Sequence, residues 1–314
     1  MLQNAEGKCM EIIRELSKIK LHNTVVAVGK FDGIHKGHRM LLEQMQKEKV
    51  DGLSVVFTFE KAPIEEINQE DKKHILTKRE KYRFFKEMDV DLVVECPINS
   101  NIITMEAEEF IKTILVEKLG MKAIFCGSDF RFGHNRLGDV EFLKSLEKKY
   151  NYKTIVFEKI KIDNIDISST YIREKIQKGD IEKTLKMLDY PYTIIGEVIH
   201  GNKIGRTIGF PTANIAPDDD KLLPPNGVYF TKVTVNNKKY SGITNIGCKP
   251  TVENGNEICV ETNIIGLCED IYGQCIVVEF YHYHRNEIKF KSLDDLKRQI
   301  KSDYDSCINF KFDI

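Results

Sequence analysis

The chain of 314 residues carries 47 Lys and Arg against 48 Asp and Glu, a formal net charge of −1. That balance excludes a general pull toward nucleic acid or an anionic membrane, so any phosphate binding must come from local arrangement. The length predicts two domains, each with its own core, and the lack of a ~20-residue apolar run or a signal-peptide core predicts a cytoplasmic protein. Eight cysteines (Cys9, Cys96, Cys126, Cys248, Cys259, Cys268, Cys275, Cys307) form no CxxC pair, which argues against a zinc ribbon or thioredoxin-type redox centre. Most of them read as small buried residues.

In chain order, Thr24–Val28, Leu53–Phe59, Leu92–Glu95, Ala123–Cys126 and Lys153–Glu158 read as strands. Amphipathic stretches separate them at Arg39–Lys47, Lys78–Met88, Glu106–Leu119 and Asp139–Tyr150, and helices follow at Ser169–Gln177 and Ile181–Leu188. Buried strands joined by crossover helices predict a doubly wound parallel sheet, which binds ligands beyond the carboxyl ends of its strands.

The string Gly29-Lys30-Phe31-Asp32-Gly33-Ile34-His35-Lys36-Gly37-His38 falls at that edge, between a strand and a helix. A helix N-terminus offers unpaired N–H groups to phosphate, glycines let the backbone come close, and His35 and His38 add donors for developing charge. Gly127-Ser128-Asp129-Phe130-Arg131-Phe132-Gly133 follows a later strand. Its rings suit a flat heterocycle and its arginine a phosphate, although the same phenylalanines could simply fill the core. Ser168-Ser169-Thr170 opens a helix with Arg173 one turn in. Those hydroxyls make either an ordinary cap or a grip on a triphosphate.

After Tyr190-Pro191-Tyr192 the pattern becomes strand-like at Ile194–His200, Val228–Val235, Tyr240–Ile246, Ile258–Ile264 and Cys275–Tyr283, with Asn236-Asn237 and Pro225-Asn226-Gly227 as turns. Ser292–Tyr304 is helical, and the whole predicts an antiparallel barrel with a terminal helix. The boundary falls at residues 187–191, giving domains 1–188 and 189–314. The segment from His200 to Asn214 is not a Walker A loop, yet its glycines and basic residues suit a flap over phosphates. Thr212 and Asn214 supply oxygen donors of the kind Mg²⁺ accepts. His282 and His284 share a strand face without an evident third metal ligand.

Taken in order, GxFDGxHxGH, GxDFRFG and ISSTxIR resemble the adenylyltransferase module of bacterial bifunctional riboflavin kinase/FAD synthetases. GRTxGFPTAN, Pro225–Tyr229, Asn245–Thr251, Val260-Glu261 and Arg285–Phe290 resemble that family's riboflavin kinase barrel. The resemblance implies an α/β nucleotidyltransferase domain followed by a β-barrel kinase domain. Riboflavin is phosphorylated by ATP in the barrel, releasing ADP, and the FMN formed then attacks the α-phosphorus of a second ATP, releasing pyrophosphate. By the same resemblance Gly29, Phe31, Asp32, His35, His38, Ser168, Ser169, Thr170 and Arg173 bind ATP for adenylylation, with His35, His38 and Arg173 catalytic. Asp129, Phe130 and Phe132 hold the flavin there. In the kinase, Gly201, Lys203, Gly205, Arg206, Thr212 and Asn214 bind ATP, Thr212 and Asn214 hold Mg²⁺, and Glu261 and Arg285 meet the flavin, with Glu261 as the base.

The implied partners are ATP and flavins, with no nucleic acid and no membrane. Two departures stand out: Ala62 occupies a position where the family carries histidine in TFxPHP, and Thr262-Asn263 replaces the x-His that often follows the base. The alternatives are a flavin kinase with weak or lost adenylyltransferase activity and a non-catalytic flavin-binding regulator.

Overall fold

A computed structural model describes residues 2–3, 9–59, 73–97, 100–201, 205, 209–251 and 255–313. Internal contacts divide the chain into two compact units. One comprises 1–72 and 78–167, the other Lys73–Thr77 and Ser168–Ile314.

The first unit is a seven-stranded sheet. Its strands are β1 (Leu2–Gln3), β2 (Cys9–Ile13), β3 (Thr24–Val28), β4 (Leu53–Phe59), β5 (Leu92–Cys96), β6 (Met121–Gly127) and β7 (Lys153–Phe157), in spatial order 1-2-5-4-3-6-7. All neighbours run parallel except β1, which pairs antiparallel with β2 at the edge. The expected strands are therefore present, and β2, unread in the sequence, extends the sheet. β3 and β5 are buried throughout because helices cover both faces. Chain order reverses between β3 and β6, and the carboxyl ends of these two strands feed the Gly29–His38 and Gly127–Gly133 loops. That is the switch point where open sheets of this type receive ligands. The helix expected over 106–119 runs as Ala107–Glu109 into a wide-turned π stretch, Phe110–Lys118, which packs Phe110, Ile111, Ile114 and Leu115 into the core.

A short hairpin of β8 (Lys161–Ile162) and β9 (Ile165–Asp166) ends the first unit. The second unit is a closed barrel of β10 (Tyr192–Ile199), β11 (Ala213–Pro217), β12 (Gly227–Val235), β13 (Lys238–Thr251), β14 (Gly255–Ile264) and β15 (Cys275–Arg285), in the order 10-11-14-13-12-15. The sequence missed β11, and this strand closes the barrel by pairing with both β10 and β14. Asn236 and Asn237 both take positive φ (48° and 63°), which fits the expected two-residue hairpin between β12 and β13. The terminal helix Leu293–Asn309 starts at Ser292, whose hydroxyl accepts from the Asp295 N–H. A short segment of the chain's first half also belongs here: His74 bridges to Lys221, and the buried Lys221 ammonium donates to the Ile75 carbonyl at 2.7 Å.

Three threonines tie the barrel interior together. Thr244 Oγ1 lies 2.9 Å from Thr231 Oγ1 and donates to Thr262 Oγ1 at 2.9 Å, and all three residues have no exposed surface. Buried hydroxyls keep their stability only while partnered. Thr244→Val, which keeps the shape, should cost about 1–3 kcal/mol by orphaning its neighbours, read from denaturant unfolding of the barrel.

Candidate functional site

The β3-to-helix connection is a strained turn. Phe31 (φ 49°), Gly33 (φ 89°) and Ile34 (φ 33°) lie in or near the left-handed region, and for a β-branched residue such as Ile34 that is costly. Burial holds it in place: Phe31 is 1% exposed, Asp32 3% and Ile34 fully enclosed. Phe31 packs edge-on against Phe85 with ring centroids 5.6 Å apart and lies 5.2 Å from the His38 ring.

The helix leaving the turn spans Lys36–Glu48, earlier than the expected start near Arg39. His35 is its N-cap, and Nδ1 of His35 accepts from the His38 backbone N–H at 3.4 Å. That bond makes Nδ1 an acceptor, so neutral His35 carries its proton on Nε2. The two imidazoles stack with centroids 3.8 Å apart and planes inclined by 17°. Burial lowers the pKa of His35 to about 4 and pushes His38 well below the ordinary value, with His35 and Lys81 adding to the effect on His38. Nδ1 of His38 is buried and makes no hydrogen bond among the described residues. The outcome is a pair of neutral imidazoles at a helix N-terminus, able to donate N–H to an anion.

On the other side of the switch point, Phe130 and Phe132 stack 5.3 Å apart at 15°. Phe132 is buried against Phe110 and Phe142, so its role is to back the half-buried Phe130. Asp129 pairs with Lys159 at 2.9 Å, and Arg131 lies 3.4 Å from Asp139.

Ser168, Ser169, Thr170 and Arg173 belong to the second unit. There the Ser168 hydroxyl caps the helix Ser169–Gln177 by accepting from the Tyr171 N–H at 3.2 Å, and the Arg173 guanidinium donates to the Lys73 carbonyl. The structural cap foreseen for this serine is present.

In the barrel, strand register does the assembling. Asn214 on β11 lies opposite Glu261 on β14, and Glu261 lies opposite Asn245 on β13. Asn214 is 6% exposed, and a side chain at Gly201 would run into its amide, so a glycine is required there. Between the two sits Cys259, with Sγ 3.3 Å from Asn214 Oδ1 and 3.5 Å from Glu261 Oε1. The sequence reading treated cysteines as mostly buried filler. Among the described side chains only Cys96, Cys126 and Cys307 are buried, while Cys248, Cys268 and Cys275 are exposed and Cys259 lines the site.

A shallow cleft opens beside Thr212, walled by Val198, Pro211, Ile264, Leu267 and Tyr272 together with the polar side chains of Thr262, Glu269 and Asp270. The His200 ring packs 4.0 Å from Tyr272. Sequence reasoning missed this cleft because its walls come from three strands and a loop with no motif of its own.

Arg285, expected from the sequence to meet the flavin, is engaged on two sides by its own chain. Its Nε and Nη2 donate to Asp303 at 3.0 and 2.6 Å, and Nη1 donates to the Asn286 carbonyl at 2.9 Å. Asp303 is 2% exposed, so the guanidinium is committed to fastening the terminal helix to β15, with His284 3.3 Å from the same carboxylate. Lys203, Arg206 and Ala62 lie outside the described residues.

Residues 17–171 match the family model of FAD synthetase, and residues 188–310 match that of riboflavin kinase. The chain is 38% identical over 302 residues to a bifunctional riboflavin kinase/FMN adenylyltransferase of Buchnera aphidicola, covering 94% of this chain and 96% of that one. A Haemophilus influenzae protein of the same name is 36% identical, with 96% and 99% covered. A crystal structure described as a macrolide-efflux protein from Streptococcus pneumoniae is 32% identical, superposes with a TM-score of 0.87, and is covered over 96% of this chain and all of that one. Among the described residues no helix is long and apolar enough to cross a membrane.

The depressed pKa of His35 fixes the sign of one pH effect. The folded chain takes up this proton near 4 and the unfolded chain near 6.5, so the contribution is full above about 6.5 and falls as the pH drops toward 4. Replacing His35 with Gln should flatten that loss by about 2 kcal/mol at pH 4.5, measured by urea unfolding at pH 7 and pH 4.5.

Proposed function

The chain belongs to the family of bifunctional riboflavin kinase/FMN adenylyltransferases, and from that premise we propose how its residues divide the two reactions. It phosphorylates riboflavin to FMN and adenylylates FMN to FAD. Residues 1–188 are assigned to adenylyl transfer and 189–314 to the kinase, in keeping with the two family matches. The observation that supports this reading is two separately built polar clusters on one chain: a neutral histidine pair at a helix N-terminus and an Asn–Glu pair across barrel strands.

In the kinase half, Glu261 accepts the proton of the riboflavin 5′-hydroxyl as that oxygen attacks the γ-phosphorus of ATP, and ADP leaves. Thr212 and Asn214 are the residues to hold Mg²⁺. Both donors are neutral oxygens, and an ion held there would supply charge neutralisation of the ATP phosphates. Glycines 201 and 205, with Lys203 and Arg206, are assigned to the flap over the phosphates. The cleft beside Thr212 is assigned to the adenosine of ATP, since it adjoins the Thr212–Asn214 segment and Val198, Pro211, Ile264 and Leu267 give it one apolar wall. Arg285 supports the site by fixing the terminal helix.

In the adenylyltransferase half, an FMN phosphate oxygen attacks the α-phosphorus of ATP and pyrophosphate leaves, with no covalent enzyme intermediate. His35, through Nε2–H, and His38 donate to the charge that builds on the transferring phosphate. Being neutral already, they need not lose a proton to serve as donors. Gly29, Phe31 and Asp32 shape the turn, and Ser168, Ser169, Thr170 and Arg173 are assigned as further ATP ligands. Asp129 and Phe130, with Phe132 behind it, are assigned to the flavin. The proposed compartment is the cytoplasm, and the proposed ligands are ATP and flavins alone.

Incubation with riboflavin, ATP and Mg²⁺, with FMN and FAD followed by chromatography, tests the division. Glu261→Gln should lower FMN formation by about 100-fold or more while sparing FAD formation from added FMN, and His38→Ala should do the reverse. Loss of both activities in either folded variant would refute the division. A bulky Leu267→Trp should raise the kinase KM for ATP about tenfold with FAD formation from FMN unaffected, and an unchanged KM would remove the adenosine from the cleft.

A further inference from the structure

Lys81 has no place in the scheme above, yet it is the cation packed against the phosphate-gripping turn. It lies on the helix Lys78–Glu87, which presents a row of side chains to the turn and to the end of β5. Phe85 of that helix meets Phe31 edge-on. Lys78 Nζ lies 3.6 Å from Glu95, whose carboxylate also accepts from Arg14 Nε at 2.8 Å. Lys81 Nζ donates to the Lys30 carbonyl at 3.3 Å, inside the turn itself.

The charges around Lys81 are few and mixed. Asp32 (3% exposed) and Glu95 (4% exposed) attract its ammonium, Lys30 and Lys78 repel it, and burial lowers its pKa. Its charge also reaches His38, where it opposes protonation. Partly burying a lysine costs free energy, and a solvated surface lysine would avoid that cost. The cost is repaid if the ammonium offsets buried carboxylates and ties down a backbone that would otherwise relax.

Phe31, Gly33 and Ile34 sit at positive φ, and a turn strained in this way persists only where its surroundings over-determine it. Apolar packing of Phe31 and Ile34 supplies part of that constraint. The Lys30 carbonyl directly precedes Phe31, and a bond there limits rotation at the first strained residue. Phe31 in turn contacts the His38 ring. A chain of direct contacts thus runs from Lys81 through Lys30 and Phe31 to one of the two histidines.

We propose that Lys81 is a positioning residue for adenylyl transfer, whose bond to the Lys30 carbonyl and whose charge beside Asp32 hold the turn so that His35 and His38 meet the transferring phosphate in register. The inference rests on the assignment of adenylyl transfer to that histidine pair.

The test uses the full chain, assayed for FAD formation from FMN and for FMN formation from riboflavin. Lys81→Met keeps the stem and removes both charge and donor, and Lys81→Arg keeps both. For the Met variant, kcat for FAD formation should fall about 10- to 100-fold while KM for ATP and for FMN stays within about threefold. The kinase rate of the same protein should be unchanged and serves as an internal control of folding. The Arg variant should recover kcat to within about fivefold of the parent. Should the Met variant lose its folded N-terminal unit, Lys81→Gln takes its place under the same expectation.

An undiminished kcat in the Met variant would overturn the proposal. So would a loss expressed in the KM for ATP alone, which marks direct substrate contact, or an Arg variant no better than Met. His38→Ala run in parallel separates the two levels: if it makes FAD normally, the histidine assignment itself has failed, whatever Lys81 does.

Discussion

The proposed adenylyltransferase site depends on a backbone that would not hold its shape in isolation. Phe31, Gly33 and Ile34 take positive φ within four residues, and only the glycine does so without penalty. Each non-glycine residue there costs on the order of 1–3 kcal/mol, which the burial of Phe31 and Ile34 offsets. The geometry gained is specific. The chain reverses from the end of β3 into a helix whose first residue is Lys36, so that His35 caps the helix and His38 lies in its first turn, directly against it. A relaxed turn would release the cap, the ring stack and the direction of the helix N-terminus together.

The sites proposed for the two halves would handle phosphate by different physics. In the first, a helix N-terminus and imidazole donors provide directed N–H groups fixed before substrate arrives, so little reorganisation is needed as charge shifts. In the barrel Asn214 and Glu261 sit opposite each other on paired strands. The donors come from facing strands, and register alone sets which side chains share a face. A one-residue slip of β14 would send Glu261 to the opposite face and bring Thr262 out of the hydroxyl ladder. The ladder of Thr231, Thr244 and Thr262 therefore opposes such a slip, because slipping would orphan buried hydroxyls.

Much of this was legible in the sequence because it rests on local signals. The strands from Thr24, Leu53 and Lys153, the helices Ser169–Gln177 and Ile181–Leu188, and the Asn236-Asn237 turn follow from periodicity and turn chemistry. β11 escaped because five residues bracketed by Pro211 and Pro217 offer no alternation to read. β2 escaped because a short edge strand has few partners to pattern it. At the sites, a motif names residues but not what engages them. Arg285 reads as a ligand until Asp303, eighteen residues on, takes its guanidinium. Phe132 reads as a platform until Phe110 and Phe142 enclose it. Lys81 reads as a surface lysine on an amphipathic helix, since its partners Lys30 and Asp32 lie some fifty positions away. Contacts of that kind are set by topology, and no local pattern carries them.

The charge balance of the first site bears on how it turns over. FMN and ATP both arrive as polyanions and pyrophosphate must leave as one, so a strongly cationic pocket would bind product as tightly as substrate. The groups at the turn avoid this. The imidazoles are neutral, and the ammonium of Lys81 faces two buried carboxylates, Asp32 and Glu95. What the turn itself offers the phosphates in the proposed scheme, apart from the assigned Arg173, is directed hydrogen bonding and the helix dipole, whose worth depends on geometry far more than on net charge. Such bonds can strengthen as charge develops on the transferring phosphate and weaken again once it has passed. A site of this kind gains its selectivity for the transition state from where its donors point, which is the reason the strained turn and the contacts that hold it matter more than the count of its cations.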